Sequence, residues 1–227
     1  MRSCGISILI EPRMFARAGK RPQSDAMRIF IVNGSHRREA QSLKVGRYLE
    51  QRLIELNSDT SVFLFNLTGS PLPFWDEVVG GAPKDLWGPI EAELRSADAL
   101  ILITPEWNGM ATSGIKNFLH LCRNDAVGHK PALLVSVSAG INGAYPIAEL
   151  RMTGGKNNRL CFIPEHVIVR NAPSVLNDVD PDQGNRHDIS IRRRIDYALC
   201  LLVEYGHSLK RVRDSGLIDH KNFANGM

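Results

Sequence analysis

This sequence lacks most of the features that would name its chemistry at once. It has no apolar run of the length a membrane span requires. Its four cysteines, Cys4, Cys122, Cys161 and Cys200, form no CxxC pair. That spacing sets aside zinc ribbons, iron–sulfur clusters and thioredoxin-type redox motifs, and scattered thiols suit a reducing cytoplasm. His120 and His129 have no partners at metal-ligand spacing. There is no GxxxxGKS/T phosphate loop and no GxGxxG. Ser136 and Ser138 sit in no GxSxG elbow, so a serine nucleophile is not expected. No acidic excess exists either: the formal charge is +4. Five basic residues (Arg2, Arg13, Arg17, Lys20, Arg21) against Glu11 and Asp25 put +3 of that charge in residues 1–26, leaving +1 for the rest. The basic balance therefore says little about the folded part, and no nucleic-acid partner is expected.

Residues 1–26 read apart from the remainder. Ile6-Ser7-Ile8-Leu9-Ile10 is too short to span a membrane and lacks the flanks of a signal peptide. Gly19–Asp25 reads as a linker. These residues are expected to form a flexible extension without a functional role, before a domain over residues 27–213 and a tail over 214–227. With 227 residues, 43% apolar and 23% charged, one domain with a sizeable core is expected.

What is present is an alternation of apolar strands and amphipathic helices. Strands are predicted at Arg28–Val32, Ser61–Phe65, Ala99–Thr104, Ala132–Ser136 and within Cys161–Val169. The first helix carries Val45, Leu49, Leu53 and Leu56 on one face and meets stop signals at Asn57-Ser58-Asp59. Further helices are predicted from Lys84 to Arg95, from near Ser113, after Ala139–Ala144, and from near Asp188, where Ile191, Ile195, Ala198, Leu199, Leu202 and Leu209 share a face. Apolar strands alternating with helices imply an α/β fold with a parallel sheet covered on both sides. Right-handed crossovers then give a three-layer, doubly wound, five-stranded sheet, with expected order 2-1-3-4-5.

In such a sheet the loops after strands one, three and four share one edge. The first, Gly34-Ser35-His36-Arg37-Arg38-Glu39-Ala40-Gln41-Ser42, reads by itself equally as a built-in anion site or as an ordinary strand–helix turn. Free backbone N–H groups, a helix N-terminus, two serine hydroxyls and the Arg37 guanidinium can converge on one phosphate. The second, Thr104-Pro105-Glu106-Trp107-Asn108-Gly109, combines a proline-restricted entry with a sharp Asn-Gly turn. The third, Ser136–Ala144, is glycine-bearing.

Together GSHRREAQS, TPEWNGMATSGIKNFL and SVSAGINGAYP, in this order after three strands, resemble the NAD(P)H-dependent FMN reductase family, which includes quinone, azo-dye and chromate reductases. The resemblance runs from Met27 to the late helix, and the PEWNG…GIKNFL block is its specific part. It implies a flavodoxin-like fold. It implies FMN as cofactor, NADPH or NADH as hydride donor, ping-pong turnover, and a small-molecule acceptor such as a flavin, quinone, azo dye or metal oxyanion. It also implies a homodimer or homotetramer with flavin near the subunit interface. By the same resemblance Ser35, Arg37, Gln41 and Ser42 hold the phosphate. Pro105, Glu106, Trp107, Asn108 and Gly109 embrace the isoalloxazine, with the amides of Glu106 through Gly109 toward its pyrimidine edge. Ser138, Gly140 and Gly143 complete the cofactor site. Two positions depart from the family: Ala40 stands where serine is frequent, and Trp107 where tyrosine is common. The hydroxyl hydrogen bond that alanine cannot make at position 40 is worth about 1 kcal/mol. The alternatives are an FMN-binding electron carrier and a non-enzymatic binding protein; the missing acidic surface weighs against the carrier.

No catalytic side chain is assigned. Glu106 is expected to position its loop or a subunit contact, and Lys116 and Asn117 to hold that loop or a neighbouring helix. His36 is read either as a phosphate or nucleotide contact or as an exposed loop residue. Trp75 is read equally as lining the substrate entrance or as loop packing. Arg192-Arg193-Arg194 is expected to be a solvated helix face.

Overall fold

The computed structural model describes residues 26–69, 72–76, 83–178 and 180–225. The expected N-terminal extension lies outside them apart from Ala26, as do Ser70 and Pro71. The elements follow in chain order: β1 (Arg28–Asn33), α1 (Gln41–Leu56), β2 (Ser61–Asn66), α2 (Lys84–Ser96), β3 (Ala99–Pro105), α3 (Ser113–Leu121), α4 (Asn124–Val127), β4 (Pro131–Val137), α5 (Ala144–Thr153), β5 (Cys161–Val169), a 3-10 turn (Ala172–Ser174) and α6 (Arg186–Arg213).

All five strands pair in parallel in the order β2-β1-β3-β4-β5, as expected. Register is continuous across the centre, with Ile31 beside Ile101 and Ile101 beside Leu133. Side chains alternate between two cores, as the two-residue period of a strand requires. Ile29, Ile31, Ile101, Ile103, Leu133 and Val135 pack with α1 and α6. Phe30, Val32, Leu100, Leu102 and Leu134 pack with α2, α3 and α5, where Phe30 stacks on Phe118 with centroids 5.9 Å apart. Burial on both faces is why the central strands are written as unbroken apolar runs. Met27 is also buried, against Gly206 of α6, where a Cβ would lie 2.8 Å from the Met27 sulfur.

The register shifts once. Ala132 pairs with Phe162 but Leu134 with His166, so β5 bulges around Pro164, which has no N–H for the ladder. Arg151 of α5 covers the bulge by donating from Nη2 to the carbonyls of Ile163 and Pro164, each at 2.8 Å.

One expectation fails in α6. Arg193 and Arg194 are exposed, but Arg192 is buried, not solvated. Its Nε donates to Asp188 Oδ2 at 2.9 Å and its Nη2 to the Asp178 carbonyl at 2.8 Å. The i, i+4 spacing turns both side chains into the loop before the helix. That helix begins at Arg186 because Asn185 caps it, accepting from the amides of His187 and Asp188.

Candidate flavin site

Three loops meet at the carboxyl edge of the sheet, and backbone contacts fix their spacing. Gly34 donates its N–H to Ile103 O at 2.8 Å, and its carbonyl accepts from Thr112 Oγ1 at 2.6 Å. A Cβ at Gly34 would come within 2.9 Å of both Ile103 O and Ile115 Cβ. Only glycine lets the first loop lie this close to the second.

The first loop is shaped as an anion cradle. Ser35 is buried, its Oγ accepts from Arg37 N at 3.3 Å, and its hydroxyl hydrogen meets no acceptor among the described residues. Thr68 Oγ1 reaches the carbonyls of Ser35 and Arg37 at 3.0 and 2.8 Å, tying the first loop to the segment after β2. No side chain caps α1, and its first turn holds no acidic residue. Ser42 Oγ is buried with no hydrogen-bond partner among the described residues. A buried hydroxyl without a partner costs about 1–3 kcal/mol, and an uncapped N-terminus leaves N–H groups unpaired. Both features fit an anion seated at the head of α1. Arg37 and Gln41 are exposed at the same turn, with no ion-pair partner for Arg37 among the described residues. His36 packs against Gly114 of α3, beside Leu67, which favours the loop-residue reading.

The second loop is a tight turn standing on β3. Trp107 and Met110 exchange both backbone hydrogen bonds, at 3.1 and 2.9 Å. Between them Asn108 has φ 50° and Gly109 φ 75°, so Asn-Gly supplies the two left-handed positions such a turn needs. The amide of Glu106 is taken by Val137 O at 2.9 Å and that of Trp107 by Met110 O. Of the four amides expected to face a flavin, those of Asn108 and Gly109 stay free of protein partners among the described residues. Thr104 Oγ1 accepts from Thr112 N at 3.2 Å, closing the loop behind Pro105.

Glu106 joins the second loop to the third. Its Oε2 accepts from Ser138 Oγ at 3.3 Å, and Ser138 Oγ accepts in turn from Gly140 N at 3.4 Å. Gly143 has φ 110° and would place a Cβ 2.6 Å from Ile168 Cγ2, so this position demands glycine. Gly140 faces open space instead.

The structure adds residues that the sequence reading missed. Glu149 of α5 accepts from Ala111 N at 2.8 Å and from Lys116 Nζ at 2.9 Å, pinning the exit of the second loop. Burial raises the Glu149 pKa, but the Lys116 ammonium and the Ala111 amide outweigh it and hold the carboxyl below its ordinary range. This is the loop-holding role expected for Lys116. Asn117 does the same for residues 72–73, donating to the carbonyls of Leu72 and Pro73 at 3.3 and 3.0 Å. That segment presents Phe74 and Trp75, 80% and 52% exposed, so neither is spent on packing. Tyr145, also exposed, leans on Gly109. No sequence signal marked Glu149, because helix α5 has no strong amphipathic period, and Tyr145 lies in the SVSAGINGAYP block but is not singled out by it.

A groove of about 500 Å³ lies elsewhere, between α1, α6 and the segment that precedes α6. Much of its wall is already neutralised, with Arg52 paired to Asp196 and Glu55. The open crest of three loops remains the better candidate, because its unsatisfied donors point to a ligand. Among the described residues no group of His, Cys, Asp or Glu is arranged to hold a metal ion, and no helix is long and apolar enough to cross a membrane.

A parallel 2-1-3-4-5 sheet with an anion cradle after β1 and a turn after β3 defines a flavodoxin-like protein. The chain belongs to the NADPH-dependent FMN reductase family, whose model matches residues 27–174. A quinone reductase of Pseudomonas putida is 29% identical over 127 residues, covering 54% of this chain and 66% of the relative. An FMN-dependent NADPH-azoreductase of Staphylococcus aureus is 27% identical over 179 residues, covering 75% and 82%. Among solved structures, the flavoenzyme NAD(P)H:(acceptor) oxidoreductase FerB of Paracoccus denitrificans superposes with a TM-score of 0.63 at 20% identity, covering 80% of this chain and 98% of that one. The cradle fits the cofactor of the family: a phosphate monoester supplies acceptors for the orphaned Ser42 hydroxyl, the Ser35 hydroxyl and the open head of α1, and a charge for Arg37.

Proposed function

We propose that this protein is an FMN-dependent oxidoreductase that takes hydride from NADPH or NADH and passes the electrons to a small-molecule acceptor of the flavin, quinone or azo-dye type. The observation that carries the reading is the uncapped head of α1, where the buried Ser42 hydroxyl has no hydrogen-bond partner among the described residues, in the loop that also carries Ser35 and Arg37. When bound, FMN supplies the redox chemistry. The chain's own part is to bind, orient and polarise. Ser35, Arg37, Gln41 and Ser42 hold the phosphate. The Asn108 and Gly109 amides offer fixed donors to the pyrimidine edge, where they favour negative charge. Pro105, Trp107 and Tyr145 wall the site, while Glu106, Ser138, Gly140 and Gly143 set the distance between the second and third loops. No side-chain acid is assigned, and the product proton comes from water.

The same edge supports assembly as a homodimer or homotetramer. Met110, Ile141, Tyr145 and Met152 are each at least half exposed around the second and third loops and along α5, and a second copy would cover them. The described cysteines Cys122, Cys161 and Cys200 are free thiols, which supports a cytoplasmic location.

The test is an absorbance titration with FMN followed by anaerobic addition of NADPH and, in a parallel sample, of NADH. The expected result is stoichiometric uptake of FMN, then bleaching of the bound flavin and its reoxidation by a quinone. Bound flavin that neither nucleotide bleaches would leave an electron carrier; failure to bind FMN would leave a binding protein.

A further inference from the structure

The third loop is laced to the segment that leaves β5. Ser138 N donates to Val169 O at 2.9 Å, Asn171 N to Gly140 O at 2.8 Å and Ala172 N to Ser138 O at 3.1 Å. Asn171 takes a left-handed φ of 46° to make this return. Arg170 stands in the middle of the lacing. Its carbonyl lies 3.0 Å from His187 Nε2, and its Nε donates to Ile141 O at 2.6 Å. The side chain is thereby tied to the tip of the third loop.

That tie uses one of the five guanidinium N–H donors. The two terminal nitrogens have no acceptor among the described residues, and no described carboxylate lies within ion-pair distance of them. The tie to Ile141 O places the group beside the third loop, and strand parity puts it on the face that carries Gly143. Val167 and Val169 point into the core under α1 and α6, whereas Ile168 points the other way, with its Cγ2 against Gly143. Arg170 continues the Ile168 face one pleat further along the strand direction, past the sheet edge. A planar fork held at one nitrogen and open at two matches the geometry of a phosphate.

We propose that Arg170 grips a phosphate of the incoming pyridine nucleotide at the rim of the site and so sets nucleotide affinity. This rests on the reading of a pyridine nucleotide as reductant. Two phosphates share the chemistry: the 2′-phosphate carried only by NADPH, and the diphosphate common to NADPH and NADH.

The experiment is calorimetric titration of FMN-loaded protein with adenosine 2′,5′-bisphosphate and with ADP, for the parent, Arg170→Gln and Arg170→Lys. FMN affinity is measured alongside. Arg170→Gln is expected to weaken at least one probe tenfold or more with FMN affinity within about twofold of the parent, and Arg170→Lys to recover part of the loss, since charge returns without the fork. A loss confined to the bisphosphate assigns the 2′-phosphate, and KM should then rise for NADPH and not for NADH. A loss on both probes assigns the diphosphate. Unchanged affinity for both probes overturns the proposal, as does a parallel loss of FMN in both variants, which would reduce Arg170 to a brace for the third loop. If NADPH bleaches the parent's flavin but the variants keep full probe affinity, only the Arg170 assignment fails. A parent that binds neither probe and is not bleached overturns the reductase reading itself.

Discussion

Replacing Arg192 with methionine tests how α6 is anchored to the sheet. Arg192 is 7% exposed and Asp188, one turn earlier, 2%. The pair meets at 2.9 Å, and the guanidinium also lies 5.1 Å from the centre of the Tyr48 ring. Methionine keeps much of the volume but leaves Asp188 hydrogen-bonded to the amides of Leu176 and Asp182, at 2.7 and 3.0 Å, with the Lys44 ammonium as a more distant cation. A buried carboxylate stripped of its cation costs about 3–5 kcal/mol. For a chain of this size that corresponds to a fall in Tm of roughly 6–20 °C. The pH dependence follows from the carboxyl. Burial raises the Asp188 pKa, but the two amides and Arg192 outweigh it and hold it below the ordinary value. Its contribution is therefore present above the unfolded-state pKa, near 4, and is lost as pH falls through the lower folded-state value. In the variant the Arg192 share of that support is gone while the two amides remain, and the folded carboxyl takes up a proton at higher pH than in the parent. The deficit should be largest near neutrality and shrink toward pH 4. Thermal melts from pH 4 to 8 would measure it, with Arg193→Met as the exposed neighbour, expected within about 0.5 kcal/mol of the parent. An Arg192→Met deficit equally small at pH 7, or one that does not change with pH, would refute the buried-pair argument.

Arg37→Ala should weaken FMN binding by about 1.5–3 kcal/mol, the range for a charge-assisted hydrogen bond, and riboflavin binding far less; equal losses for both ligands would remove the first loop from the phosphate role. Glu106→Gln should slow flavin reduction by NADPH less than about tenfold in stopped flow, equivalent to 1.4 kcal/mol. A thousandfold slowing with FMN still bound would make Glu106 catalytic. Asn108→Pro should do worse than Glu106→Gln, because proline fixes φ near −65° where the turn has φ 50° and removes a free amide. Deleting residues 1–25 should leave FMN affinity and NADPH oxidation nearly unchanged, because β1 already pairs with β2 and β3 from Arg28 and Ile29 onward; a large loss of turnover would show that the extension takes part.

The sheet was legible because its physics is local and repetitive. Each strand is an apolar run bounded by turn residues, and the alternation with helices leaves few topologies once crossovers are right-handed. Boundaries moved only where a contact outside the element decided them. β2 runs on to Asn66 because Asn66 pairs with Asn33 and accepts from its side chain at 2.8 Å. Helix α4 has four residues, too few for any periodicity to register. The bulge at Pro164 was hidden because its stabiliser, Arg151, lies on another element and meets it only in the fold.

The site divides along the same line. Backbone-driven features were readable from neighbours in sequence: Asn108-Gly109 had to make a turn with positive φ, and Gly34-Ser35 before a helix had to leave donors open. Side-chain pairings across the chain were not. Lys44 sits within α1, yet its ammonium donates to Ala172 O, Val175 O and Asn177 Oδ1, at 2.7, 2.8 and 2.7 Å, tying the first helix to the segment after β5. Glu149 and Arg170 likewise act on loops far from them in sequence, and Arg192 escaped because three consecutive arginines read as one solvated patch when only two of them are. The consequence is physical. The loops of this site carry the donors that await a ligand, but their spacing is set by charged side chains outside them, on α1, α5 and the exit of β5. Substitutions at Lys44 and Glu149 should therefore alter FMN affinity without touching a single residue of the three motifs, whereas Arg170→Gln should act on the nucleotide and leave FMN in place.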